Sequence, residues 1–286
     1  MKIAMFGATG MLGLPVAQRL IQDGNELTAL IRPGKEKEVP KGCRVIIGDL
    51  KNEDDIRKTV SSCEGIYLNL SVAQSSREKD FQPEREGIQN ILKICEQENI
   101  KVIGYLSSLV QNYQGLNGFD WWVFRVKNQA VKMIKEHSIP SIIFRPSTFM
   151  ENFDKGSYRQ GQNIALAGNS EHPMYFIAGE DYARMANKAF KQFDGKSAEY
   201  IIQGTEAFTA DEAAKIFVEN YKKEKMKVMK LPFWMLHLFG KLSPKFNYGA
   251  NIVEALNNYS EKFDGTDVWD KLGKPELTLK EYARKK

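Results

Sequence analysis

The first thirteen residues constrain this chain most. Lys2-Ile3-Ala4-Met5-Phe6 is an apolar run of strand length leading straight into Gly7-Ala8-Thr9-Gly10-Met11-Leu12-Gly13, whose glycines stand three residues apart. Leu14-Pro15-Val16-Ala17-Gln18-Arg19-Leu20 then has helical periodicity. The order is strand, glycine turn, helix, with Gly24 as the expected C-terminal stop. In such a turn Gly7 allows the tight bend, Gly10 leaves room for backbone to approach a pyrophosphate, and Gly13 lets the helix pack close to the strand. Unbonded N–H groups and the positive dipole end of the helix then face the phosphates. A dinucleotide is the ligand this calls for, with Thr9, Met11 and Leu12 of the same turn among its expected contacts. The first gap is one residue longer than in Gly-x-Gly-x-x-Gly, so the flanking strand and helix carry the weight of the reading.

A length of 286 residues suits one large α/β domain or a cofactor domain with a smaller lobe grafted on. The 41 basic and 36 acidic residues are scattered apart from two lysine-rich patches, which does not indicate a nucleic-acid partner. Cys43, Cys63 and Cys95 are isolated and fit neither a disulfide framework nor a thiolate metal site; a reducing, cytoplasmic setting is expected. His137, His172 and His237 are far apart in sequence, so no metal is expected. The start of the chain does not read as a signal peptide, and the longest apolar stretch, 231–239, is too short to span a bilayer. A soluble protein is expected.

Further strands are expected over 26–31, 44–47, 65–70, 101–106 and 141–144, alternating with helices over 78–98 and 120–135. Six strands interleaved with helices imply right-handed crossovers and a doubly wound parallel sheet. At the end of the second strand, about 20 residues past the glycines, NAD-selective folds place a carboxylate on the ribose. Here Arg32 occupies that place with Lys35 close behind. A guanidinium matches phosphate geometry and stacks on adenine, so NADP(H) is favoured with NAD as the alternative; a solvated charge at a strand end is the other reading. Asp49 and Leu50 follow the third strand beside the expected adenine edge, though Asp49 equally suits an N-cap. Asn69, Ser71 and Ser107 fall at strand ends near the cofactor. Beyond residue 145 the chain reads as loop-rich through Gly156, Gly161 and Gly168, followed by a helix to Phe193 capped by Asp181 and capping boxes at Thr209 and Thr278.

Gly7 to Gly13, Gly48-Asp49-Leu50, Tyr105-Leu106-Ser107-Ser108, Lys127 and the run Phe144 to Asn152 together resemble the NmrA-like branch of the atypical short-chain dehydrogenase/reductase superfamily. The resemblance continues in Gly179-Glu180-Asp181-Tyr182-Ala183, in Gly204 to Thr209 and in Leu277 to Tyr282, and so covers nearly the whole chain. It implies an NAD(P)-binding Rossmann domain over residues 1–150, a smaller C-terminal α/β substrate lobe over 151–286 interleaved with it, and a cleft between them.

Most short-chain dehydrogenases carry a Tyr-x-x-x-Lys pair in the helix after the fifth strand. Lys127 stands where the resemblance places the lysine, but the position four earlier is Val123. Two other matches, Tyr221 with Lys225 and Tyr282 with Lys286, read as chance. Lys127 is therefore the expected catalytic residue, as acid or base, or else a ligand of ribose hydroxyls. Tyr113 reads as a surface loop residue, and Ser107-Ser108 as a hydrogen-bonding pair near the nicotinamide. Phe149 to Phe153 should line the cleft, with Trp121 and Trp122 contributing, and an apolar aromatic wall suits a quinone or phenolic substrate. Lysines 222, 223, 225, 227 and 230 read as a solvated helix followed by one packed on the lobe, or as a basic amphipathic helix touching membrane.

Three functions follow. The first is an NADP(H)-dependent oxidoreductase passing hydride to a small flat acceptor. The second is an NADP(H)-sensing regulator that binds a protein partner without turnover, which Val123 favours. The third is a sugar-nucleotide epimerase or dehydratase, relatives that normally keep the tyrosine.

Overall fold

A computed structural model describes residues 1–286, apart from the side chain of His237. Its first half alternates β1 (Lys2–Phe6), α1 (Gly13–Gln22), β2 (Glu26–Ile31), β3 (Cys43–Ile47), α2 (Glu53–Val60), β4 (Gly65–Leu68), α3 (Ile88–Cys95), β5 (Val102–Leu106), α4 (Trp122–Glu136) and β6 (Ser141–Pro146). Next come a short α5 (Glu151–Asp154), β7 (Arg159–Gln160), β8 (Asn163–Ala167), α6 (Gly179–Lys191) and β9 (Ala198–Ile202). The chain ends with α7 (Ala210–Asn220), β10 (Lys227–Leu231), α8 (Phe233–Gly240), α9 (Pro244–Asn258), α10 (Thr266–Leu272) and α11 (Leu279–Lys285).

Seven strands form one parallel sheet in the order β3-β2-β1-β4-β5-β6-β9. This is the doubly wound Rossmann architecture expected from the alternating pattern. Strands covered on both faces must be apolar on both, and β1 divides its side chains accordingly. Ile3 and Met5 join Val16, Ala17 and Leu20 of α1 and Ala186 of α6 on one side. Ala4 and Phe6 join Ile56 of α2, Ile91 of α3 and Ile134 of α4 on the other.

Several local expectations are revised. The crossover helix is shorter than 78–98, because Pro83 opens a single π-helical turn, Pro83–Gly87, before α3. The loop-rich region holds an antiparallel hairpin, β7 with β8, and β10 adds to β8 in parallel to complete a second, three-stranded sheet. The lysine-rich stretch is therefore partly strand, since pairing with β8 outweighs helix propensity over Lys227–Leu231. Residues 179–202 return to the first sheet: α6 packs on α1, and β9 extends the edge beyond β6. Asp181 is not the cap of α6, which starts at Gly179; its carboxylate instead accepts the N–H groups of Glu276 and Leu277, each at 3.0 Å. Thr209 and Thr278 do form capping boxes, with Glu212 and Glu281.

Candidate functional site

The sheet order reverses direction between β1 and β4, and the crevice outside the carboxyl ends of strands at such a point is where open α/β sheets bind ligands. The glycine turn closes over this crevice. Gly7 has φ +95°, a left-handed conformation that disfavours any side chain, and a Cβ there would lie 2.1 Å from the Asn69 carbonyl oxygen. A Cβ on Gly13 would lie 2.0 Å from the Gly7 carbonyl oxygen, so the start of α1 sits directly against the turn. Asn69, at the end of β4, fastens the loop by donating its side-chain N–H to the Gly7 carbonyl at 3.2 Å. Apolar Leu12 stands at the N-cap of α1 without a side-chain hydrogen bond; the Leu14 N–H is taken by the Gly10 carbonyl at 2.9 Å and Pro15 has none, so the N–H groups of Leu12 and Gly13 are the ones left for a ligand. Gly10 is exposed, while Thr9, Met11 and Leu12 are half-buried around it. This cradle fits a pyrophosphate.

The ends of β2 and β3 flank it. Arg32 and Lys35 bracket a turn through Gly34, closed by the Lys35 N–H on the Arg32 carbonyl at 3.2 Å. Arg32 is exposed and makes no ion pair among the described residues, whereas the Lys35 ammonium lies 2.5 Å from Glu38. Asp49 is exposed and caps the turn that precedes α2, its side chain accepting the Lys51 N–H at 2.9 Å and its carbonyl the Asn52 N–H at 3.0 Å; the N-cap of α2 itself is Asn52. The Leu50 carbonyl is held by the Asn90 side chain at 2.8 Å. On the other flank Ser71 is exposed. Ser107 is buried, donates to Gln111 at 2.7 Å, and Gln111 in turn donates to Asn128 of α4 at 2.9 Å, which ties β5 to α4.

Lys127 projects from α4 toward the ring of Tyr105, its Nζ 5.8 Å from the ring centre. It is hydrogen-bonded to Glu84, a carboxylate in the π-helical turn whose side chain is only 1% exposed. Tyr105 donates to the same Glu84 oxygen at 2.6 Å, and the second oxygen, Oε2, is buried without a partner. Burial, then the Glu84 charge, push the Tyr105 phenol well above its usual range. Glu84 is a site residue with no local signature: an acidic residue early in a helix ordinarily reads as a dipole partner.

One turn before Lys127, Val123 faces a cleft of about 440 Å³. Trp121, Trp122 and Arg77 share that wall, and Leu242 and Tyr248 from the α8–α9 region face them. Tyr248 stacks edge-on against Trp121, ring centres 5.0 Å apart, and the buried Trp121 Nε1 has no partner. Burial and then the Glu84 charge push the Tyr248 phenol up to about 12, so it is neutral at physiological pH. The cleft has aromatic walls from Trp121, Trp122 and Tyr248, whereas Phe149 to Phe153, expected to line it, do not. Phe149 packs edge-on against Tyr182 at 5.4 Å, Phe153 stacks on Tyr158 and Phe217, and Glu151 caps α6 through the Gly179 N–H. Tyr113 is buried too, drawn in by Phe119 at 4.9 Å. Tyr221 receives a hydrogen bond from Arg159 and Tyr282 donates one to Asp154, both in the C-terminal lobe. A second opening of about 450 Å³ lies between α7 and α11, lined by charged groups such as Glu219 and Arg284, and contains none of the residues above.

A family model described as NAD(P)H-binding matches residues 7–192. The chain belongs to this NAD(P)H-binding family. It is 20% identical over 260 residues to the photosystem II assembly factor Ycf39 of Trieres chinensis, covering 90% of this chain and 80% of that protein. Among solved structures it resembles the NADPH-dependent quinone oxidoreductase QOR2 of Escherichia coli, with a TM-score of 0.70, 18% identity, and coverage of 99% and 98% of the two chains. The triphenylmethane reductase of Citrobacter sp. matches with a TM-score of 0.73 and 18% identity over the full length of both chains. Nucleotide-sugar epimerases share the fold as well. At these identities the structural likenesses establish the fold alone, the doubly wound Rossmann architecture.

Proposed function

We propose that the protein is an NADP(H)-dependent oxidoreductase that passes hydride to a small flat acceptor, a quinone or phenolic compound, in the cleft lined by Trp121, Trp122, Val123 and Tyr248. The reading is carried by one juxtaposition: Val123, where the tyrosine would stand, and Tyr248 face the same cleft, and Glu84, bonded to Lys127, acts on the Tyr248 phenol. The glycine turn with Thr9, Met11 and Leu12 holds the pyrophosphate, Arg32 with Lys35 meets the 2′-phosphate, and Asp49 and Leu50 border the adenine. Asn69, Ser71, Ser107 and Lys127 bound the nicotinamide half. Bound nicotinamide supplies the hydride. Lys127 holds the ribose hydroxyls and positions a proton donor; the neutral Tyr248 phenol donates a hydrogen bond to the acceptor oxygen that gains charge. A quinone completes its reduction by taking a proton from water, so a chain with valine at position 123 is better matched to it than to ketone reduction. Likeness to a quinone oxidoreductase and to a triphenylmethane reductase supports an aromatic acceptor.

The second reading is a sensor of cofactor state that acts on a protein partner. Val123 favours it, as does similarity to proteins named assembly factors. The two separate in one assay: steady NADPH consumption with a panel of benzo- and naphthoquinones supports the enzyme, whereas tight NADPH binding without consumption supports the sensor. Turnover of a nucleotide sugar in place of quinones contradicts both.

A further inference from the structure

The exposed apolar side chains of the protein are concentrated in one place. Of the eleven large ones that are exposed among the described residues, seven fall between Val228 and Phe246. The most exposed are Leu242 at 82% and Trp234 at 65%, with Leu238, Phe239 and Phe246 beside them on α8 and the start of α9. Positions 234, 238, 242 and 246 are spaced by four, and Phe239 and Phe246 touch, ring centres 5.7 Å apart. Residues 233–240 include no Asp, Glu, Lys or Arg. A helix of that composition is ordinarily buried, and a patch of this kind on a soluble surface marks an interaction site.

Charge says what covers it. From residue 225 to residue 253 there are five lysines, at 225, 227, 230, 241 and 245, and no aspartate or glutamate. Lys230 is bound to Asp211, but Lys225, Lys227, Lys241 and Lys245 are exposed. Lysine is depleted at protein–protein contacts, whereas lysines bordering Trp, Phe and Leu are the composition of segments that lie in an anionic lipid interface. No helix of the described residues is long and apolar enough to cross a membrane, so the contact is peripheral.

We infer that the α8–α9 hairpin docks the protein on a lipid bilayer bearing anionic headgroups. Trp234, Leu238, Phe239, Leu242 and Phe246 enter the boundary between headgroups and acyl chains, and Lys241 and Lys245 meet the phosphates. The hairpin's turn also supplies Leu242 and Pro244 to the 440 Å³ cleft, so an apolar molecule dissolved in the bilayer has a short path into it. Docking itself does not depend on which reaction, if any, the cleft performs.

The test is flotation of the full-length protein with vesicles of phosphatidylcholine alone and of an equimolar phosphatidylcholine–phosphatidylglycerol mixture, at low and high salt. The expected result is binding to the mixed vesicles that weakens with salt. Leu238→Asp and Leu242→Asp, both at exposed positions and checked for intact folding by circular dichroism, should each lower binding at least about tenfold. Lys241→Gln and Lys245→Gln should each lower it about fivefold on the mixed vesicles and little on phosphatidylcholine. Absence of flotation, equal binding to both vesicle types, or unchanged binding of both leucine variants would overturn the inference. So would a dimer in solution that Leu242→Asp dissociates while no vesicle is bound, since the patch would then cover a second copy.

Discussion

Lys127 of α4 and Glu84 of the π-helical turn before α3 form an ion pair in which the lysine side chain is 13% exposed and the carboxylate 1%. The pair holds two elements together beside the expected nicotinamide site. Lys127→Met leaves Glu84 buried without a counter-ion and should cost about 3–5 kcal/mol. Glu84→Gln keeps the shape and should cost less, about 1–3 kcal/mol. In the double variant the losses should fall short of their sum by about 1–3 kcal/mol, as residues in direct contact require. Urea unfolding of the four proteins measures this.

The glycine turn allows a graded test. A Cβ at position 13 meets the Gly7 carbonyl oxygen at 2.0 Å, while one at position 10 comes no closer than 3.3 Å to any neighbour. Gly13→Ala should therefore displace α1 and destabilise the fold by about 1–3 kcal/mol. Gly10→Ala should melt close to the parent and yet bind nucleotide at least about tenfold more weakly, because position 10 is where the pyrophosphate approaches backbone. Differential scanning fluorimetry with and without NADPH separates the two effects.

Arg32 is exposed and unpaired among the described residues, while Lys35 already has Glu38. Most of the selectivity should then rest on Arg32. Arg32→Ala should weaken NADPH about tenfold to a hundredfold by calorimetric titration and leave NADH unchanged. Equal affinity for the two nucleotides in the parent would contradict the 2′-phosphate assignment.

What the sequence discloses follows the reach of each interaction. The glycine turn and the capping boxes at Thr209 and Thr278 are set by neighbours a few residues away, and their patterns carry them. Glu84 meets Lys127 across 43 positions, and Tyr248 meets Trp121 across more than a hundred, so nothing near either residue marks it. Asp181 has the look of a cap but is claimed by backbone N–H groups 95 and 96 residues away. The lysines at 227 and 230 look helical until β8 supplies a strand to pair with. Phe149 and Phe153 are aromatic residues after a strand, and only the packing of α6 and α7 decides that they serve the core.

Acid should loosen the contact between α1 and α6. The Lys191 hydrogen bond holds the Asp23 carboxyl below its usual range against the opposing effect of burial, with Arg19 and Asn187 adding to it. A depressed folded-state pKa stabilises the fold above the unfolded value, near 4, and that contribution is lost as pH falls through the folded one. Asp23→Asn should lower the melting temperature at neutral pH and flatten its fall below about pH 5. Melting curves across that window check the sign.

The most direct measurement is a single turnover. Protein loaded with one equivalent of NADPH is mixed anaerobically with a naphthoquinone, and the nicotinamide absorbance is followed in the parent, Lys127→Met and Tyr248→Phe. Complete oxidation is expected in the parent, slowed at least about tenfold in each variant, with NADPH affinity unchanged in Tyr248→Phe. NADPH that stays bound and unoxidised in the parent would contradict the oxidoreductase assignment.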